Sequence, residues 1–324
     1  NKALTLKGSP TINGKLTVSH SGATLSAGFS PDSLPSAQLS LTGTLVVDID
    51  GTAGAGVPGG HDQYVVDDSL DGPGGGDGSV TIAPGTVLTL ASTGSLPATG
   101  VYTIIDNDGT ADAVAGTFSG LPEGTVVSLG GQSLVITYIG GDGNDVMLFT
   151  TGLAQVEFDL GTSSQSENGT GGTTPKILVK GDLTGIPAIY RKLDFSLTAG
   201  TATSGALDDF TLSMSFVIPA ANYATSTAFD LTQYDSSGAL NPASPVLKVN
   251  QDTIIEGVEG LSFNFTNGVG KALVASDVNI DGQTRTGTTH NIADDDFIRV
   301  TIDPSQTVVE GNTLTGVVTI ETMS

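Results

Sequence analysis

The chain has 324 residues and a formal net charge of −23, with 34 acidic against 11 basic side chains and neither cysteine nor tryptophan. No basic stripe exists to neutralise phosphates, which excludes nucleic acid as a partner, and no apolar run reaches the roughly 18 residues of a membrane helix, so direct membrane insertion by a helix is excluded as well. Residues 1–150 carry −11 and residues 151–324 carry −12, so cations are the expected partners along the whole length.

Glycine, threonine and serine are abundant, and Val, Ile, Leu and Thr dominate the apolar runs, which is the profile of an all-β protein. The chain starts at Asn1 without a signal peptide, so it reads as a matured or excised piece of something longer. Residues 1–150 alternate in short strands: "KLTVSHSGATLSA", "AQLSLTGTLVVDIDG", "DQYVVDDSL", "GSVTIAPGTVLTLAS", "GVYTIIDND" and "GTVVSLGGQSLVITYIGG". Inward Leu, Val and Ile alternate with Thr and Ser at the two-residue period of a half-buried strand. Such runs suit a stacked β-solenoid or an irregular sandwich, with the glycine-rich inserts "GAGVPGGH" and "DGPGGGDG" as loops off one edge.

At Gly140–Leu148 the sequence "GGDGNDVML" fits the nine-residue calcium turn of parallel β-rolls. That site needs successive turns to share each ion, and only one copy is present. The flanking runs "SLVITYI" and "DVMLFT" alternate, so the segment is expected to close as a hairpin, with Gly and Asn supplying positive φ and no metal bound. The half as a whole, residues 13–149, resembles the autotransporter-associated β-strand repeat regions of large bacterial surface proteins. The stretches that carry the likeness are "GKLTVSHSGATL", "LTGTLVVDIDG", "HDQYVV" and above all "GTFSGLPEGTVVSLGGQSLVITYIGGDGNDVMLF". The resemblance implies a right-handed, β-helix-like solenoid on an exported protein.

From residue 153 the strands "PKILVKG", "RKLDFSLTAG", "TLSMSFVI", "ALNPASPVLKV" and "EGLSFNFTN", separated by turn signals, indicate an immunoglobulin-like sandwich over residues 153–296. Its carboxylates gather at strand ends: Glu167, then Asp208 and Asp209, then Asp252, Glu256 and Glu259, then Asp294, Asp295 and Asp296. The blocks "SEN", "GTATSGALDDF", "DTIIEGVE" and "IADDD" resemble, in that order, those of the Calx-β repeat, a calcium-binding sandwich that recurs in bacterial surface proteins. Phe210 stands where tyrosine is usual, and a long insert surrounds "FDLTQYDSSGALNPASP". The resemblance implies Ca2+ as cofactor, held by Glu167, Asp209, Asp252, Glu256, Asp294, Asp295 and Asp296, with Asp208, Glu259 and Glu310 as weaker candidates. The chemistry agrees with the carry-over, because calcium takes about 6 to 8 oxygen ligands in flexible geometry. Unit charges about 4 Å apart repel by roughly 1 to 4 kcal/mol unless a cation lies between them. The competing reading is a solvated acidic rim, the usual state of a charge run.

The tail, residues 297–324, restarts the pattern. "IRVTIDPSQTVVEGN" repeats "VEFDLGTSSQSENGT", with Glu310 in the place of Glu167, and "LTGVVTIET" repeats "PKILVKG", as the first two strands of a second such repeat would. No nucleophile elbow, phosphate loop or dinucleotide fingerprint occurs, so no enzyme is expected. His20, His61 and His290 stand apart and read as loop residues rather than zinc ligands. Three domains are expected, then: an autotransporter-associated, solenoid-like module over residues 1–152, a Calx-β sandwich over 153–296 and the opening of a second over 297–324. The implied role is a structural or adhesive, calcium-stiffened segment of a bacterial cell-surface, surface-layer or extracellular-matrix protein. Its partners would be other copies of itself or neighbouring surface proteins, met through β-strand edges. The alternative is a carbohydrate-binding or polysaccharide-degrading passenger domain with glycans as partners, against which the low aromatic content of 5% argues.

Overall fold

The computed structural model describes residues 4–6, 10–28, 31–72, 78–108, 112–169, 171–202, 209–251, 254, 256–266, 272–275, 285–302 and 318–323, and over these the protein is all-β. The first half winds between two parallel sheets. One contains β1 (Leu4–Leu6), β3 (Thr24–Ala27), β5 (Thr44–Asp48) and β8 (Val87–Ala91) in that order; the other contains β2 (Ile12–Val18), β4 (Ser33–Leu41), β6 (Gln63–Val66), β7 (Val80–Ile82) and β9 (Val101–Asn107). In-register parallel pairing stacks like on like. Leu25 lies over Leu45 and Leu45 over Leu88, while Val18, Leu41 and Ile82 form a second column and Leu34, Tyr64 and Ile105 a third. These columns fill the core of a short solenoid.

The insert around "GAGVPGGH" does hang from one edge, between β5 and β6, but it is closed by structure of its own: Ile49 bridges His61, and the amides of Asp50 and Gly51 donate to the Gly60 carbonyl. The middle of the second insert lies outside the described residues; its effect is to divide one rung, so that β6 pairs with the first part of β4 and β7 with the last. Buried Asp62 ties the rungs at their corner by accepting from the amides of Asp32 at 2.8 Å and Asp48 at 3.0 Å.

The solenoid ends in an antiparallel cap formed by β10 (Val126–Leu129), β11 (Gln132–Gly140) and β12 (Asp145–Thr150), with β12 paired to β9. The sequence pattern predicts half-buried strands here. Instead β11 and β12 are covered on both faces: Leu134, Ile136, Tyr138, Val146 and Leu148 enter the solenoid core, while Val135, Met147 and Phe149 enter the core of the following domain. Alternation alone cannot reveal this, because the second face is covered by residues remote in sequence.

The second half is a sandwich. One sheet runs β19 (Asn222–Asp230), β15 (Lys176–Asp182), β13 (Ala154–Phe158) and β22 (Leu273–Ala275); the other runs β14 (Thr162–Ser166), β23 (Gly287–Ala293), β21 (Glu259–Thr266), β16 (Lys192–Gly200) and β18 (Ser215–Val217). A separate pair joins β17 (Phe210–Leu212) to β20 (Leu247–Val249). Phe158 lies at the centre, 5.4 Å from Phe263 and 5.3 Å from Phe265 between ring centroids, the edge and tilted geometries that aromatic pairs prefer. Of "ALNPASPVLKV", expected as one strand, only the last three residues form a strand, while Leu240 makes an isolated bridge to Tyr234; the prolines between cannot donate to a ladder. Strand β19, by contrast, arises from "NYATSTAFD", whose mostly exposed face hides the signal.

The tail forms the antiparallel pair β24 (Phe297–Ile302) and β25 (Val318–Met323). Its register reproduces that of β13 and β15: Val300 faces Ile320 as Val156 faces Val179, and Ile302 faces Val318 as Phe158 faces Ile177. Val156 and Val179 are fully buried, whereas Val300 and Ile320 are 55% and 66% exposed.

Candidate metal centre

Parallel pairing of β14 with β23 sets Ser166 beside Ala293, so Glu167 and Asp294 leave the sheet together, and the Glu167 amide extends the ladder to the Ala293 carbonyl at 3.1 Å. Antiparallel β21 begins at the same end, with Glu259 opposite Ile292. The Asn250 amide, bonded to the Asp209 carbonyl at 2.9 Å, brings the start of β17 there too. Four remote stretches of chain therefore converge on one rim of the sandwich.

Two carboxylate triads result. Glu167, Asp294 and Asp296 form one and Asp209, Glu256 and Glu259 the other, each with one oxygen per residue inside a mutual spacing of 4.8 Å. The Glu256 amide donates to Asp294 Oδ2 at 2.5 Å and joins the two, while Asp294 Oδ1 accepts from the Asp296 amide at 2.8 Å. Glu167, Asp209 and Asp296 are buried, which is unusual for carboxylates unless paired or bound to a cation. Burial, followed by a hydrogen bond shared with Asp209 and the charges of Asp209 and Glu256, pushes the Glu259 carboxyl above its ordinary range. A divalent cation would reverse that sense.

Asp295 belongs to neither triad. Its oxygens accept from the side-chain amides of Asn168 and of Gln251, the latter at 3.2 Å. Glu259, a weaker candidate by sequence, stands inside a triad. Asp208, Asp252 and Glu310 lie outside the described residues.

A third triad, Asp67, Asp68 and Asp108, occupies the solenoid and went unnoticed in the sequence, although "VVDD" and "DND" at two strand ends were the available signal. Asp68 donates its amide to Asp108 Oδ2 at 3.0 Å, and the charge of Asp108 is the first cause that raises the Asp68 carboxyl.

The "GGDGNDV" segment is a hairpin turn, with Gly140 opposite Asp145 and the Gly143 amide bonded to the Gly140 carbonyl at 2.8 Å. Positive φ is supplied by Gly141 and Gly143 alone; Asn144 contributes none. Neither Asp142 nor Asp145 joins a triad among the described residues. Asp145 Oδ1 accepts from the Asn107 amide at 2.9 Å, and burial raises its carboxyl to about 6. The turn also abuts the sandwich, since the Gly141 amide donates to the Gly185 carbonyl at 3.0 Å.

Of the histidines expected in loops, His61 does lie in the insert between β5 and β6 but is buried there, and His290 is buried on a strand. His61 packs edge-on against Tyr102 at 5.5 Å, and His290, on β23, shares a 2.9 Å hydrogen bond with Ser163 Oγ through Nδ1. Among the described residues no helix is long and apolar enough to cross a membrane.

No protein-family model matches the chain, and no curated protein matches it. Among solved structures, a crystal structure of the apo-form Calx CBD1 domain is similar at 18% identity and a TM-score of 0.28, over 44% of this chain and 98% of that one.

Proposed function

We propose that the protein is a structural segment of a bacterial cell-surface or extracellular protein, in which an autotransporter-type solenoid leads into a Calx-β-type sandwich stiffened by calcium. The observation that carries this reading is the pair of joined carboxylate triads at one rim of the sandwich. All six side chains offer hard oxygen donors and none offers nitrogen or sulfur, which fits calcium. Magnesium suits the rim less well, because it demands a tight octahedron and retains its waters. Glu167, Asp294 and Asp296 would hold one ion and Asp209, Glu256 and Glu259 another. The ions would fix four loops that otherwise repel one another. The work is mechanical rather than catalytic, and the exposed apolar residues of the tail hairpin support assembly with further copies or neighbouring surface proteins through strands.

Isothermal titration of the chelator-treated protein with calcium tests the reading. Heat with a stoichiometry near two ions, lost on changing Asp209 and Asp296 to Asn, is the expected result. A protein that takes up no calcium at millimolar concentration refutes it.

A further inference from the structure

An isolated antiparallel bridge between Ser164 and Thr173 folds the chain that leaves β14 back onto the strand. The Ser164 amide donates to the Thr173 carbonyl at 3.0 Å, and the Thr173 amide returns a bond to the Ser164 carbonyl at 2.7 Å. Side chains alternate along each stretch, so Gln165 and Thr174 fall on the same side of this ladder as diagonal neighbours, a separation that a long side chain spans. Gly172, which comes opposite Gln165, holds φ at +79°, and a Cβ there would collide with the Ser164 carbonyl oxygen. The glycine thus lets the two stretches approach and sets no side chain across from Gln165. Gln165, Thr174 and Asp230 line one recess of about 400 Å³.

From this arrangement we infer that Thr174 and Gln165 join in an intramolecular ester. The Thr174 hydroxyl donates to Asp230 Oδ2 at 2.5 Å, while Oδ1 of the same carboxylate is held by the Thr232 amide at 3.0 Å and the Thr232 hydroxyl at 2.7 Å. A hydroxyl nucleophile is therefore set against a fixed base, in the recess that also holds the Gln165 amide. As Thr174 Oγ1 adds to Gln165 Cδ, its proton passes to Asp230. The Cδ–Nε2 bond then breaks, Asp230 returns the proton to the leaving nitrogen, and ammonia departs through the recess. No oxidant, reductant or cofactor enters the balance. The step happens once per molecule, and holding both groups in one place supplies the effective concentration that a free alcohol and amide lack. Gln165 is nine-tenths buried, and its inaccessible Oε1 has no hydrogen-bond partner among the described residues. Such burial is costly for an amide carbonyl, a strong acceptor, and less so for an ester carbonyl, a weaker one that is also shielded there from hydrolysis. The bond fastens β14, in one sheet of the sandwich, to the entry of β15, in the other.

The intact mass of the full chain, measured after incubation at neutral pH and unfolding, tests the inference. A mass about 17 Da below that of the sequence is expected, the loss of one ammonia. An asparagine succinimide has the same deficit, so the unfolded chain is also cleaved after Glu167, which parts the two residues. The fragments on either side should stay joined until hydroxylamine opens the ester, whereas a succinimide joins none. Thr174→Val should carry the full mass, and Asp230→Asn should form the link at least about tenfold more slowly. An unaltered chain of full mass, fragments that separate without hydroxylamine, a link that survives in Thr174→Val, or one that forms equally fast in Asp230→Asn would each overturn it.

Discussion

Tyr190, at the base of the sandwich, donates its hydroxyl to the carboxylate of Glu123, which belongs to the solenoid cap and also accepts from the Tyr138 amide at 2.7 Å. The Tyr190 ring meets Phe149 edge-on at 5.1 Å. With Val135, Met147 and Phe149 in the sandwich core, the joint between the two halves is itself hydrophobic core. Solenoid and sandwich should therefore melt in one transition. Phe149→Ala should cost about 3 to 5 kcal/mol and split that transition in two, while Tyr190→Phe should cost about 1 kcal/mol without splitting it. Differential scanning calorimetry decides; two separate peaks in the unaltered protein would contradict a shared core.

Asp62 offers a test inside the solenoid. Its carboxylate satisfies the amides of Asp32 and Asp48 on adjacent turns of the chain. Asp62→Ala should destabilise by roughly 2 to 4 kcal/mol, because two inward amides lose their acceptor together. Asp62→Asn, which keeps one oxygen, should lose about half as much, as urea denaturation would show.

Calcium should raise the melting temperature. At tenfold excess over its dissociation constant one site contributes about 1.4 kcal/mol, by the usual linkage relation. Asp296→Asn should remove more of that response than Asp295→Asn, because Asp296 points into a triad and Asp295 is engaged by amides. Asp145→Asn should leave the response unchanged. Thermal scans with calcium and with chelator that superimpose would refute the rim as a cation site.

Burial holds the His290 imidazole down to about 4, against a weak opposing pull from Asp230. The folded state thus binds fewer protons than the unfolded chain between that value and the ordinary 6.5. Stability from this residue is complete above about pH 6.5 and is lost as pH falls towards 4, by roughly 3 kcal/mol in all. His290→Gln preserves a partner for Ser163 and should flatten the acid limb of a stability profile measured by denaturant titration from pH 7 to 4. An unaltered limb would place the acid sensitivity elsewhere.

The tail hairpin should promote association. Changing Val300 and Ile320 together to Asp should lower light scattering at high protein concentration, and a chain ending at Asp296 should behave like the double variant. Equal scattering by all three would exclude the hairpin as an assembly element.

Much of this was legible in the sequence, and the failures have physical causes. Alternation located β2 to β5 and β21, in which one face points inward at regular spacing, and the apolar runs located β15, which buries Ile177, Leu178 and Val179 in succession, and β16, whose first half buries Leu193 and Phe195. It missed β19, which is exposed at six of nine positions, with Tyr223 and Phe229 buried and a half-buried end, and β23, whose polar "GTTHNIA" buries Thr288 and His290. The acidic rim was legible as spacing, since Glu167, Asp209, Glu256 and Asp294 each follow or precede a strand. Which carboxylates meet was not: Asp295 and Asp296 are neighbours in sequence, and only the Asp294 turn decides that one faces the triad.

The doubly covered hairpin β11–β12 also constrains how such a chain can be inherited. A recombination event that joined this sandwich to an unrelated solenoid at the nominal seam near residue 152 would discard Val135, Met147 and Phe149, and would leave Tyr190 and Leu153 facing water. A viable exchange must carry residues 132–150 along with the sandwich, so the unit that can move between proteins begins one hairpin earlier than the unit that the eye divides off.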